Sequence, residues 1–297
     1  MLDMNKRFAA IAMLGAAFLG AQAHGLQFGQ DPARLDLIKV TDDLYVIHNP
    51  ISPGNTTVVL TGDGVILIDD KFEIDHAGLM AELKKITTQP IRYVINTHHH
   101  PDHTGGNPKL QALGAQVVSS IRTRERMMEA NADPSRPTSG AEPPGLPNMA
   151  FEERATMHVG GKTLELYYMG RGHTDGDIVV YFPNQRILAS GDLFTFGDET
   201  PQLIDYSGGG SAKEWPKTLD RVLALDFDTV IPGHGVVTTK AEMRKFRDRA
   251  SLLKDRVHEM LLQKKTPEQI STMLVEEFHW VPFLLDNGLY GLLGEMR

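Results

Sequence analysis

Apolar residues in this chain fall into short runs of strand length as far as residue 231, and beyond residue 239 into helical spacing. Runs at about 35–40, 44–48, 56–61 and 64–69 have the length and β-branched content of strands, with Gly62-Asp63-Gly64 as a hairpin turn between the last two. Ile91 to Asn96 reads as a buried strand. Helices are expected at 75–87, 107–113 and 121–131. Strands resume at about 155–159, 162–169, 177–182 and 186–190, before a helix near 212–224 and a strand at 228–231. From Thr239 the pattern turns helical over Ala241 to Gln263, and it restarts at Thr266-Pro267 with a threonine cap and a first-turn proline. Asp133 to Asn148 carries Pro134, Pro137, Pro143, Pro144 and Pro147, which exclude a helix or central strand and predict a surface loop between two halves. No internal repeat is visible by sequence identity. Trp280, Phe283 and Tyr290 are spaced as core aromatics.

Residues 1–23 break this pattern. Lys6 and Arg7 precede the apolar run Phe8 to Gly20, and Ala21-Gln22-Ala23 fits the small-x-small cleavage rule. A stretch this short falls below the roughly 20 residues needed to span a bilayer. It reads as a signal peptide, cleaved after Ala23, that sends the protein to the periplasm or outside the cell. The mature chain, 24–297, is then expected to form a single domain with a helical extension from about residue 240.

Composition narrows the class. With 297 residues, 41% hydrophobic and 23% charged, the chain is an ordinary globular one. The net charge of −8, without a basic stripe, argues against a nucleic-acid partner and leaves a small-molecule substrate. The absence of cysteine excludes disulfides and thiolate ligands.

The run Thr97-His98-His99-His100-Pro101-Asp102-His103-Thr104-Gly105-Gly106 carries the chemistry. Unpaired imidazoles and carboxylates are costly to bury, and a divalent cation is the partner their chemistry suits. His98 and His100, two apart, project to one side while His99 points away. Pro101 forces a bend that aims Asp102 and His103 at a second point. The spacing therefore predicts one metal on His98 and His100 and another on Asp102 and His103. Further polar residues follow strand-like runs beside glycine: His173 in Gly172-His173-Thr174, Asp192 in Ser190-Gly191-Asp192, and His234 in Pro232-Gly233-His234-Gly235.

His-x-His-x-Asp-His followed by His, Asp and His resembles the metallo-β-lactamase superfamily over about residues 35–240. The resemblance implies an αββα sandwich of two similar halves with the metals at the seam. It assigns His98, His100 and His173 to the first metal, and Asp102, His103 and His234 to the second, with Asp192 bridging. Val65 to Asp69 matches the family's early strand ending in an aspartate that buttresses the histidine loop. The implied chemistry is hydrolysis by a metal-bridging hydroxide, with two Zn2+ ions (iron or manganese able to substitute in an all-nitrogen-and-oxygen set) and Asp102 as proton shuttle. No Gly-x-Ser-x-Gly elbow points to a serine nucleophile.

Gly172 to Pro183, Glu214 to Leu219 and Pro232 to Gly235 look similar to the class B β-lactamases. Two positions depart from them. Asp192 stands where the main lactamase branch has cysteine, as in glyoxalase II and the lactonases, and Thr195 stands where many have lysine. Ser211, Lys213, Trp215 and the amides of Gly208 to Gly210 are the substituted candidates for gripping substrate. A β-lactamase-like hydrolase opening a cyclic amide is the leading reading. A lactonase or glyoxalase II-like thioesterase, a mononuclear iron sulfur dioxygenase and a non-catalytic metal-binding protein are the alternatives.

Overall fold

The computed structural model describes residues 32–49, 52–130, 142–197 and 200–297. The proposed signal peptide, and most of the proline-rich loop at 133–148, lie outside them. The first sheet runs in chain order through β1 (Asp36–Lys39), β2 (Leu44–His48), β3 (Thr56–Thr61), β4 (Gly64–Ile68), β5 (Ile91–Ile95), β6 (Gln116–Ser120) and β7 (Met149–Phe151). β1 to β4 are antiparallel, and β4 to β7 are parallel. The second sheet comprises β8 (Arg154–Val159), β9 (Lys162–Tyr168), β10 (Ile178–Phe182), β11 (Ile187–Ala189), β12 (Thr229–Ile231) and β13 (Thr238–Thr239). It repeats the plan: β8 to β11 antiparallel, then β11 and β12 parallel.

Two-residue periodicity explains the layering. Every residue of β4 is buried, with Ile66 and Ile68 facing the second sheet and Val65 and Leu67 facing helices on the outside. In β10, Ile178, Val180 and Phe182 meet the first sheet, while Val179 and Tyr181 turn to the outer helices. Such strands read as continuous apolar runs because helices cover their far face. The first sheet's helices are α1 (His76–Leu83), a short α2 (Pro101–Thr104), α3 (Asn107–Ala112) and α4 (Ile121–Ala130). The second sheet is backed by α5 (Trp215–Leu223), α6 (Lys240–Leu262), α7 (Pro267–Phe278) and α8 (Pro282–Met296). The result is the expected αββα sandwich. Each fully buried aliphatic side chain contributes about 1.5–3 kcal/mol, so the three apolar layers dominate its stability.

Several elements depart from the sequence pattern. β6, β7, β13 and α8 were not marked by it. β7 and β13 are two- or three-residue edge strands, too short to show a period, and α8 carries three glycines that blur its periodicity. The helix expected at 75–87 ends at Leu83, and that at 212–224 begins at Trp215. Tyr290 corrects the aromatic reading: it is 78% exposed, whereas Trp280 is buried and Phe283 packs part-buried on the core. Thr266 caps α7 as expected, in a capping box with Gln269. No helix among the described residues is long and apolar enough to cross a membrane.

Candidate metal centre

Chain topology brings distant residues to one edge of the sandwich. His98 to His103 follow β5, His173 lies between β9 and β10, Asp192 follows β11, and His234 follows β12. This is the edge where open α/β sheets place their sites. Pro101 opens α2, turning Asp102 and His103 away from His98.

Four groupings of candidate ligands result among the described residues, three of them at this centre. His98, His100 and His173 form one; His103 is shared by His98 with Asp192 and by Asp102 with His234; each set has ligand atoms within 4.8 Å. Asp192 stands between them, with Oδ2 3.7 Å from His173 Nε2 and 3.4 Å from His234 Nε2, and Oδ1 3.3 Å from His103 Nε2. Asp102 Oδ2 lies 3.2 Å from His234 Nε2 and 3.4 Å from His103 Nε2. His99 falls elsewhere, in a half-buried group with His100 and Asp205.

The second ring nitrogen of each imidazole identifies the free one. His103 Nδ1 donates to Asp69 Oδ2 (2.8 Å), and His173 Nδ1 to the Leu203 carbonyl (2.8 Å). His100 Nε2 donates to Asp205 Oδ2 (2.9 Å). Thr97 Oγ1 donates to Asp69 (2.7 Å) and accepts from His98 Nδ1 (3.1 Å). These partners assign the tautomers and leave a lone pair on His98 Nε2, His100 Nδ1, His103 Nε2 and His173 Nε2. His100 Nδ1 and His173 Nε2 then face each other at 3.0 Å, acceptor to acceptor. Two nitrogens on one tetrahedral zinc stand ~3.4 Å apart. His98 Nε2, His103 Nε2 and Asp192 Oδ1 are buried without a hydrogen-bond partner. Orphaned buried acceptors of this kind cost free energy that a cation removes, so the donor set fits a metal.

Charge follows the same division. Burial pushes His173 down to about 4 and His98 well below its ordinary range, assisted by neighbouring imidazoles, which keeps both rings neutral. Burial also opposes charge on His234, but Asp192 and Asp102 outweigh it and raise the ring to about 10. The carboxylates around His103 likewise outweigh burial and raise it well above its ordinary value. Without a cation Nε2 therefore also holds a proton, which a bound cation would replace to use the lone pair that the Asp69 bond aims inward. Burial opposes ionisation of Asp192 and Asp102, yet the facing imidazoles hold both below the usual carboxylate range.

Glycines let backbone crowd this centre. A Cβ on Gly233 would stand 1.9 Å from Asp192 Oδ1, and one on Gly54 2.3 Å from His103 Cε1.

The sequence pattern of the Metallo-beta-lactamase superfamily matches residues 50–234. The chain belongs to that superfamily. It is 25% identical over 237 residues to "Metallo-beta-lactamase type 2" of Elizabethkingia meningoseptica, covering 77% of this chain and 87% of that protein. It is equally identical over 231 residues to "Metallo-beta-lactamase IND-1" of Chryseobacterium indologenes, covering 77% and 90%. Among solved structures, the metallo-β-lactamase from Pontibacter korlensis superposes with a TM-score of 0.63 at 25% identity, over 73% of this chain and 99% of that one. DIM-1 metallo-β-lactamase, at 21% identity, shares the fold with a TM-score of 0.62 over 74% and 98%. Family and donor set together support a metal-dependent, β-lactamase-like hydrolase.

The expected substrate contacts need correction. Ser211 and Trp215 are buried: Ser211 Oγ donates to Glu295, and Trp215 Nε1 donates to Leu193 O at 3.0 Å. The Trp215 ring lies 6.4 Å from that of His173, backing the ligand from inside the core. The amides of Gly208, Gly209 and Gly210 bond within their own loop, to Asp205 Oδ1, Tyr206 O and Asp205 O. Only Lys213 of that set is exposed. Sequence reasoning also passed over Asp205, which lies 105 positions from the histidine it holds, and Lys71, which is fully buried with Nζ donating to Ile47 O and Gly54 O at 2.8 and 2.7 Å. A lysine directly after the two aspartates that follow the apolar strand Val65 to Ile68 was the available signal for the second.

Proposed function

We propose that the protein is an exported, dinuclear zinc hydrolase that opens a strained cyclic amide. The observation that carries this reading is the Asp192 carboxylate, placed within 3.7 Å of imidazoles from both sets beside orphaned buried acceptors. His98, His100 and His173 would hold one ion; Asp102, His103 and His234 the other; Asp192 would touch both. The donor set is all nitrogen and oxygen, so iron or manganese can substitute. Two such ions supply Lewis acidity and a water activated at neutral pH.

The chain's own groups do the rest. Asp69 and Asp205 fix the tautomers of His103 and His100, so the lone pairs stay aimed inward. Asp102, with a side chain 16% exposed beside His103 and His234, is the proposed group to carry a proton to the departing nitrogen. Hydrolysis adds hydroxide to the carbonyl carbon, breaks the C–N bond and leaves a carboxylate and an amine. Lys213, exposed on the loop after Gly210, is the proposed cation for a substrate carboxylate.

A second reading, lactone or thioester hydrolysis, is favoured by one observation: Asp192 occupies the place of the lactamases' cysteine. Zinc-loaded protein should turn over penicillins, cephalosporins or carbapenems modestly, with high KM and suppression by a chelator. A lactone or thioester hydrolysed ten times more efficiently than every lactam tried refutes the amide reading and leaves the metallohydrolase intact. Export is tested separately: intact mass of periplasmic protein should begin at His24, and a retained Met1 refutes it.

A further inference from the structure

The superfamily match ends at residue 234, whereas this chain continues through three helices to Met296. The last of them, α8, contains Gly288, Gly291 and Gly294. Glycine is unfavourable inside a helix, so three in one helix call for a reason. A Cβ on Gly291 would stand 2.4 Å from Tyr206 Cγ, and one on Gly288 3.2 Å from the Trp280 ring; Gly294 has nothing within 4 Å. The backbone of α8 therefore lies directly against Tyr206.

One turn on, Glu295 grips the same segment. Its carboxylate accepts from Tyr206 Oη (3.0 Å), from Ser211 Oγ and from the Lys213 amide (3.3 Å). Segment 203–213 is also the back wall of the first metal pocket. Leu203 O accepts from His173, Asp205 Oδ2 accepts from His100, and Asp205 N donates to His173 O at 2.9 Å.

We infer that α8 positions the first metal pocket through Glu295, a positioning residue that ties segment 203–213 in place behind His100 and His173. Three neutral donors on one carboxylate define that segment's conformation more narrowly than apolar packing does, because each bond is directional. The inference rests on the reading that His98, His100 and His173 hold a cation.

The test uses the full chain, stripped of metal and titrated with Zn2+ against a chromophoric chelator, and with Co2+ for its visible absorption. Glu295→Ala and Gly291→Ala should weaken one zinc equivalent ~3–10-fold, below the range for direct ligand supports, and alter the Co2+ band. The equivalent affected should be the one that Asp205→Asn weakens. Gly294→Ala, facing open space, should leave both equivalents unchanged. Should Glu295→Ala not fold, Glu295→Gln and Gly291→Ala give the same readout. Wild-type affinity and Co2+ absorption in those variants, even with a lowered melting temperature, would show that α8 only packs and overturn the inference. If the wild-type chain takes up no zinc, the metal reading itself fails, and the inference with it.

Discussion

Replacing Asp69 separates what the centre needs for folding from what it needs for metal. Asp69 is buried at the end of β4, and its carboxylate accepts from Thr97 N (2.7 Å), Thr97 Oγ1 (2.7 Å) and His103 Nδ1 (2.8 Å). Asp69→Ala strands three buried donors at about 1–3 kcal/mol each, so with partial relaxation a loss of about 3–6 kcal/mol is expected. That is a large share of a typical domain's stability. Asp69→Asn differs. Its Oδ1 can still accept from Thr97 N, but its amide must donate to His103 Nδ1, which drives the ring proton to Nε2. The lone pair aimed at the proposed second ion is then lost while the core stays filled. The expected result is about 1–2 kcal/mol lost in urea unfolding of metal-free protein, and metal affinity at the second site reduced 10–100-fold by equilibrium dialysis. Asp69→Asn protein that retains two ions at wild-type affinity would refute both the tautomer assignment and the supporting role of Asp69.

Other expectations follow from single contacts. Gly233→Ala places a Cβ 1.9 Å from Asp192 Oδ1, so metal stoichiometry should fall from two toward one, as read by elemental analysis, with turnover nearly abolished. A chelator should lower the melting temperature by removing the ions' contribution, about 2.7 kcal/mol when free metal is a hundred times Kd; an unchanged melt would mean that the folded chain holds no metal. Burial pushes Lys71 down to about 7 from 10.5, so between those values the unfolded chain binds the extra proton. Stability therefore rises with pH across that window, and the wild-type advantage over Lys71→Met should grow by about 1.4 kcal/mol per pH unit. Urea midpoints of metal-free protein at pH 7.5 and 9 measure this, and parallel values would contradict it.

The candidate donor residues and the layered pattern around them are legible in the chain alone. His98, His100, Asp102 and His103 are legible because their spacing is local, within one loop, and because ionisable groups after apolar runs have few innocent readings. The strands β4 and β10 are legible because burial on both faces leaves continuous apolar runs, and β9 because its buried Leu164 and Leu166 alternate with partly exposed residues. Tertiary structure decided the rest. Asp205 meets His100 across 105 positions and Glu295 meets Ser211 across 84, and a directional contact between remote segments leaves no periodic trace in either. The same reason turned Ser211 and Trp215 inward: a loop sequence shows which side chains are polar or aromatic, but only the helix packed behind it decides which way they face. Tyr290 went the other way, because Leu284, Gly288, Leu289, Leu292 and Leu293 form the face of α8 laid on the protein and leave the ring on the opposite side.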